Sequence, residues 1–285
     1  MFRVLPLLLG ITSCLVVLAS PLQRRESLKH YTNDIAIHSS CNATQSRQLK
    51  KALADTYEIV GIAQEYVLAN GPQDPLYKKY FGKGDYIAVL GALDGILVGN
   101  KEGVLLRCDD IDGKQEGWAG HWRGENATYE TVICDLSYEI RRPLEQFCGF
   151  GYTVAGSSAS YYFATDMMHR LYHVPVIADA KISHHADSYE DCLELAVHNF
   201  TWAPYNTHTL QYFAADVFGK VVGAPGIGCT GDVDRDHDHK PIASASRAKS
   251  AQTPRTTASI TRTATVTITS KKSCHTHDDG EEHCD

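Results

Sequence analysis

The 285-residue sequence lacks an excess of basic residues, and it has only one long apolar run. It contains 27 Lys and Arg against 34 Asp and Glu, a formal net charge of −7, which disfavours nucleic acid as a partner because such partners attract positively charged surfaces. The apolar run, residues 4–18, is shorter than the roughly 20 residues of a membrane-spanning helix. Arg3 precedes it and Ala19 and Ser20 follow it, a pattern that predicts a cleaved signal peptide over residues 1–20 and no membrane span.

Cysteines outside this predicted signal peptide are even in number. Cys14 lies within it, and eight cysteines remain. An even count in an exported chain predicts disulfide bonds, because the exterior of the cell is oxidising. We expect three bridges among the six cysteines of the globular part, with a pairing that the spacing leaves open: Cys41, Cys108, Cys134, Cys148, Cys192 and Cys229.

Three glycosylation sequons also agree with export. They begin at Asn42, Asn126 and Asn199, and each has threonine at its third position. Such sequons are modified on exposed surfaces of secreted proteins. We therefore predict that all three asparagines lie on the surface.

Composition divides the rest of the chain into four segments. Residues 21–40 are polar and contain a basic pair, which predicts a flexible arm or a pro-segment. Residues 41–231 carry the apolar periodicity of a globular domain. Residues 232–273 are rich in Ser, Thr and Ala and predict a disordered linker, whereas residues 274–285 form a tail rich in His and Cys.

Helical periodicity dominates the globular segment. Asn42 or Thr44 can cap a helix that carries an apolar stripe and ends at Gly71. Strand patterns are few and short, so we predict an α+β, mostly helical single domain. The further predicted helices span residues 143–148, 160–173, 189–198 and 207–218, and the predicted strands span residues 104–108 and 130–134.

Two histidines one helical turn apart, His169 and His173, form the central motif. Residues at this spacing share a helix face, which suits two ligands of one zinc ion. With 14 histidines in the chain, the spacing is close to chance expectation, and a pair of structural histidines is the alternative. The surrounding helix is apolar on most sides, so we expect it to be buried, and buried imidazoles need partners.

A zinc site at this pair needs at least one more ligand. His184, His185 and Asp187 follow beyond a break in the helix, and any of them is a candidate. Asp166 lies on the polar stripe of the helix and is expected to orient a ligand imidazole through a hydrogen bond.

Several motifs in a fixed order resemble the fungal pH-regulated antigen or zincophore family, which includes a major mould allergen. The resemblance covers residues 41–231 and extends to the histidine-rich tail. It is carried by residues 107–110, 132–138, 167–175, 185–189 and 210–216.

That family is similar to the deuterolysin-type zinc proteases, or aspzincins, which bind zinc through His-Glu-x-x-His and a downstream aspartate. The resemblance implies a metalloprotease-like (zincin-like) fold and Zn²⁺ as the bound ion. It also implies His169 and His173 as ligands and Asp187 as the third, with His184 and His185 as competitors for that role.

Arg170 departs from the protease pattern, because it occupies the position of the catalytic glutamate. In a zinc protease that carboxylate takes a proton from the metal-bound water. Arginine stays protonated and cannot accept it. General acid–base catalysis contributes roughly 10²- to 10⁴-fold, so we expect little peptidase activity.

The C-terminal tail is a second predicted metal site. As thiolates its cysteines would make a strong zinc site, whereas as a disulfide they would close a small loop that gathers the histidines. A solvated acidic tail is the alternative. The candidate ligands are Cys274, His275, His277, His283 and Cys284.

The function implied by the resemblance is that of a zincophore. Such a protein is secreted, collects extracellular zinc, returns it to a cell-surface zinc transporter and is also a surface antigen. The alternatives are a secreted zinc metallopeptidase and an immune-evasion protein that binds host complement or leukocyte receptor proteins.

Overall fold

The computed structural model describes residues 35–113 and 117–232, together with the backbone of residues 274–276 and 282–284. The predicted signal peptide, most of the arm, nearly all of the linker and the side chains of the tail lie outside the described residues, so those predictions stay predictions. Among the helices that are described, none combines the length and apolar character needed to cross a membrane.

The longest described helix, α1 (Ala43–Asn70), has strong signals at both ends. The side chain of Asn42 accepts hydrogen bonds from the N–H groups of Thr44 and Gln45, and the Gln45 side chain bonds back to the Asn42 backbone. This capping box satisfies N–H groups that lack partners in the first turn. The helix ends at Gly71, whose φ of 71° favours a residue without Cβ. Its predicted apolar stripe is buried: Leu49, Leu53, Val60, Ala63 and Val67.

Shorter helices surround α1. They are α2 (Pro75–Phe81), α3 (Tyr86–Leu97), α4 (Asp135–Ile140), α5 (Phe163–Tyr172), α6 (Pro175–Ala178), α7 (Tyr189–His198) and α8 (Thr207–Phe218). Helix α1 packs against α3, α5 and α8, α5 also packs against α8, and α7 packs against α2 and α8. Helix α5, which carries the histidine pair, is therefore enclosed between α1 and α8.

A small sheet completes the described domain. Its strand order is β1-β2-β4-β3, with β1, β2 and β4 parallel and β3 antiparallel to β4. Strand β1 and the buried Ile35 fall within the segment predicted as an arm, so any arm ends before residue 35. The strands are β1 (Ala36–Ile37), β2 (Leu105–Arg107), β3 (Gly120–Trp122) and β4 (Glu130–Ile133).

The prediction of a mostly helical single domain with a small sheet is confirmed. The helices predicted at 189–198 and 207–218 have those bounds. The helix predicted at 143–148 is wrong, because only a 3₁₀ turn, Leu144–Gln146, forms there. Cys148 follows with a φ of 61°, a left-handed conformation that a right-handed helix cannot continue through.

Among the six cysteines of the described domain, two disulfides form where three were predicted. Cys41 is bonded to Cys108, and Cys148 is bonded to Cys229. The remaining two cysteines of the predicted six are buried thiols, which corrects the expectation of a third bridge. They lie on separate elements, because Cys134 precedes α4 at the end of β4 whereas Cys192 lies within α7.

In the tail, the backbone forms a two-stranded antiparallel pair. Strands β5 (Cys274–Thr276) and β6 (Glu282–Cys284) align Cys274 with Cys284 and His275 with His283. Cross-strand partners in such a ladder have Cα atoms about 4.5–5.5 Å apart. The register therefore pairs the two predicted cysteine ligands with each other across the strands, and likewise two of the predicted histidine ligands.

Residue-specific alkylation followed by mass spectrometry tests the cysteine pairing. We expect Cys134 and Cys192 to resist iodoacetamide in the native chain, because both are buried and burial raises the pKa of the Cys192 thiol to about 12. After unfolding without reductant both should react, while the four bridged cysteines react only after reduction. A peptide in which Cys134 is linked to Cys192 would contradict the assignment.

Candidate metal centre

Helix α5 is buried along its whole length. Its ten residues include Asp166, His169 and Arg170, all shielded from solvent, and His169 is 2% exposed. His173 follows as the C-cap and is half-buried. Because bulk water does not reach these polar groups, each needs a partner within the fold.

Three imidazole nitrogens converge at the C-terminal end of α5. Nε2 of His173 lies 3.0 Å from Nε2 of His169 and 3.1 Å from Nε2 of His184. The three side chains offer ligand atoms that all lie within 4.8 Å of one another. A neutral imidazole has one nitrogen with a free lone pair, and three such nitrogens facing one point suit a divalent ion of the zinc type.

His184 reaches the helix from the loop between α6 and α7. The N–H of Thr207 donates to the carbonyl of Ser183 at 3.0 Å, which ties the loop to the start of α8. Asn206 is fully buried, and its Oδ1 accepts from the N–H of His185 at 2.8 Å. The backbone on both sides of His184 is therefore held, which fixes the position from which its ring extends.

Gln211 on α8 orients the innermost histidine. Its Oε1 lies 3.3 Å from Nδ1 of His169, while its Nε2 donates to the carbonyl of Thr165 at 2.9 Å and to Ser160 at 3.2 Å. These two donated bonds fix the amide, so Oε1 faces His169 as an acceptor. Nδ1 then carries the proton and Nε2 keeps its lone pair for a metal. Gln211 thus takes the orienting role that was expected of Asp166.

Asp187 and His208 form an outer group around His184. Oδ1 of Asp187 lies 3.4 Å from Nδ1 of His184 and 3.6 Å from Nδ1 of His208. The His208 ring also donates from Nδ1 to the backbone carbonyl of Asp187 at 2.8 Å. The Asp187 side chain is 43% exposed, so this group lies on the solvent side of the histidine cluster.

Arg170 is engaged in a buried ion pair with Asp166. Its Nε and Nη2 donate to the two Asp166 oxygens at 2.9 and 3.1 Å, and Arg141 reaches the same carboxylate at 2.9 Å. A Cβ on Gly120 would lie 2.7 Å from Nη1 of Arg170, so the absence of a side chain on β3 makes room for the guanidinium. Asp166 thus supplies the counter-charge of Arg170.

The electrostatic surroundings keep His169 neutral. Burial lowers the pKa of His169 well below its usual value, and the neighbouring His173, His184, His208 and Arg170 lower it further. Desolvation penalises the charged form of a buried base, and nearby positive charge acts in the same direction. A neutral imidazole is the form that binds metal.

Among the other predicted site residues, His185 lies apart from the cluster. It is exposed, and its ring centroid lies 4.7 Å from that of Trp202. The structure thus brings His169, His173 and His184 together, with Asp187 one step outward. The choice of third ligand stays a prediction, as do the tail ligands, whose side chains lie outside the described residues. The sequon residues Asn42, Asn126 and Asn199 are all exposed.

An open cavity of about 510 Å³ leads to the outer group. His184 and Asp187 lie in its wall, and two carboxylates and one imidazole from α7 contribute much of the remainder. A cation can approach His184 through this polar opening. The α7 side chains that line it include Asp191, Glu194 and His198.

His208 and Gln211 were not among the predicted site residues. Both lie on α8, three residues apart, and thus on one face of the helix. The detectable signal was the presence of polar residues, His208 and Gln211 among them, in a helix with strong apolar periodicity. Nothing in the spacing connects them to residues 169–173.

The comparisons with known proteins establish the family. A family model described as "HRXXH: Putative peptidase family" matches residues 17–232 of this chain. The chain belongs to this family. The pattern HRXXH corresponds to the run from His169 through Arg170 to His173, so arginine in place of glutamate is part of the family signature.

Named relatives agree with this membership. "Major allergen Asp f 2" of Aspergillus fumigatus is 49% identical over 258 residues, which cover 87% of this chain and 83% of that protein. "pH-regulated antigen PRA1" of Candida albicans is 43% identical over 199 residues, which cover 69% of this chain and 67% of that protein. The predicted resemblance to the pH-regulated antigen family is therefore confirmed.

A solved structure with partial similarity is that of a zinc peptidase from Grifola frondosa. It matches 62% of this chain and 97% of its own chain, with a TM-score of 0.44 and 13% sequence identity.

Substitution of Arg170 by glutamate tests the role of the ion pair. Arg170→Glu places a carboxylate beside Asp166, so we expect a loss of about 3–5 kcal/mol in the free energy of unfolding and no peptidase activity. Urea unfolding and digestion of a peptide library with added zinc are the measurements. Arg170→Lys keeps the charge and should lose less stability. Stable folding together with chelator-sensitive cleavage by Arg170→Glu would refute this account.

The neutral His169 predicts acid sensitivity of the metal-free chain. Its folded pKa lies below the unfolded value of about 6.5, so the unfolded state takes up the proton first as pH falls. The free energy of unfolding should therefore decrease below about pH 6.5, by up to about 1.4 kcal/mol per pH unit for this group. His169→Gln should remove this dependence and His198→Gln, on the exposed side of α7, should keep it. Identical pH profiles for all three chains would contradict the assignment.

Proposed function

We propose that this protein is a secreted zinc carrier that holds Zn²⁺ at His169, His173 and His184 and does not cleave peptides with it. The observation that carries the proposal is the convergence of three Nε2 atoms at 3.0–3.1 Å beside an arginine committed to another partner. Three imidazoles supply neutral nitrogen donors of the borderline type that zinc accepts.

Retention of zinc is supported by the ordering of the ligands. Gln211 holds the tautomer of His169, and the loop carrying His184 is tied to the start of α8. Such outer contacts typically change metal affinity by about 10- to 100-fold. A preordered site binds more tightly because less conformational entropy is lost on binding.

The absence of a base at Arg170 supports carriage over catalysis. Zinc-assisted hydrolysis of a peptide needs a base, usually a carboxylate, to accept a proton from the metal-bound water. The residue at that position here is Arg170, whose guanidinium is bonded to Asp166. The family description names a peptidase, so peptide hydrolysis is the second candidate. Its best remaining base is Glu194, which lines the open cavity.

Delivery completes the proposed role. We infer that zinc leaves through the open cavity to a cell-surface transporter, with the tail as a second, more accessible holder. The aligned Cys274–Cys284 and His275–His283 positions support a tail site.

Histidine must be neutral to bind metal, so the carrier should work best in neutral or alkaline surroundings. Extracellular location and contacts with host complement or leukocyte receptor proteins belong to the same proposal.

Zinc stoichiometry and affinity, measured by equilibrium dialysis at neutral pH, test the core site. We expect His169→Ala in the full chain to lose one tightly bound ion, since it removes the innermost donor. His185→Ala is the matched control, because this exposed histidine on the same loop contacts Trp202, and it should bind zinc as the parent chain does. A chain ending at Ser273 should lose only the tail-bound zinc.

Two outcomes would overturn the proposal. One is a His169→Ala chain that is folded, by circular dichroism, and binds zinc as tightly and in the same amount as the parent. The other is chelator-sensitive cleavage of a peptide library by the parent chain, lost in His169→Ala, which would favour the peptidase.

A further inference from the structure

We propose that His184 bridges two divalent-metal positions. The inner position is the one described above, and the outer position is formed by His184, Asp187 and His208. The inference rests on the proposed function for the inner ion and adds a second ion, which would enter and leave by way of the open cavity.

The two ring nitrogens of His184 face different groups. Nε2 lies 3.1 Å from Nε2 of His173, toward the inner cluster. Nδ1, on the other edge of the ring, lies 3.4 Å from Oδ1 of Asp187. An imidazole can bind one ion through each nitrogen once it has lost its ring proton. The placement of His184 between two ligand groups meets the geometric requirement for such a bridge.

The outer group has the spacing of a zinc-type site. Its three side chains offer ligand atoms within 4.8 Å of one another, and Oδ1 of Asp187 lies 3.4 and 3.6 Å from Nδ1 of His184 and of His208. Ligands bound to tetrahedral zinc at about 2.0–2.2 Å stand about 3.3–3.6 Å apart. Two nitrogens and one carboxylate oxygen suit zinc or copper better than calcium or magnesium.

Binding of the outer ion requires a change of protonation at His184 and a change of tautomer at His208. His184 releases its one ring proton to solvent and becomes a bridging imidazolate. His208 keeps its proton but carries it on Nε2 in place of Nδ1, through exchange with water, and gives up its bond to the Asp187 carbonyl. That neutral hydrogen bond is worth about 1 kcal/mol, which a metal–nitrogen bond readily exceeds.

Charge and burial predict that the outer ion exchanges faster than the inner one. The ring of His208 is nearly buried, whereas Asp187 is 43% exposed and lies in the wall of the cavity. The carboxylate and the imidazolate supply two negative charges for two dications, so the second ion is bound more weakly. A weak outer position sharing a ligand with a tight inner one provides a stepwise route for loading and unloading.

Copper(II) titration of the full chain, followed by electron paramagnetic resonance, tests the bridge. Two Cu²⁺ ions joined by an imidazolate couple magnetically, so the spectrum should show a half-field transition and less signal than the copper bound. Asp187→Asn and His208→Gln should each lose one equivalent of bound copper and the coupled signal, yet keep the tight zinc ion. Asp191→Asn, in the same cavity but outside the group, is the control and should keep both.

The copper and zinc measurements distinguish an incorrect bridge from an incorrect carrier function. If the bridge is wrong, no coupled signal forms at any copper ratio, or it persists in both Asp187→Asn and His208→Gln, while tight zinc binding still depends on His169. If the carrier function is wrong, His169→Ala leaves zinc binding unchanged. Copper bound by the tail adds uncoupled signal, which all of these variants share.

Discussion

The enclosure of helix α5 is the constraint on which the rest of the site depends. With α1 and α8 against it and all ten of its residues buried, this helix has no side on which a polar group can meet water. Each polar side chain must therefore be matched within the fold. The Asp166 carboxylate is matched by Arg170 and Arg141, and the Nδ1 of His169 by Gln211.

On this helix the charged pair and the histidine nitrogens face different partners. Arg170 follows His169 in the chain, yet its guanidinium is bonded to Asp166 at i−4, and β3 leaves space for it at Gly120. The positive charge is thus neutralised away from the histidine nitrogens. In this chain, the arginine between the two histidines is therefore part of the buried ion pair that stabilises the helix.

Burial also decreases stepwise from the inside of the site outward. His169 lies deepest, the His184 side chain is 5% exposed, and Asp187 is 43% exposed. Buried neutral imidazoles favour retention of an ion, because water cannot readily replace them, whereas a solvent-facing carboxylate favours exchange. The gradient fits the proposed carrier function, in which the site would both hold an ion and release it.

Much of the architecture follows from local sequence, and the assembled site does not. The capping box at Asn42 and the 3.6-residue periodicity determined α1, and the same periodicity determined α7 and α8, because these signals act within a few residues. The histidine pair was visible for the same reason. The roles of His208 and Gln211, the partner of Arg170 and the pairing of the cysteines were decided only in the folded chain. Each depends on contacts between residues far apart in sequence, and a spacing pattern carries no information about which distant elements will pack together.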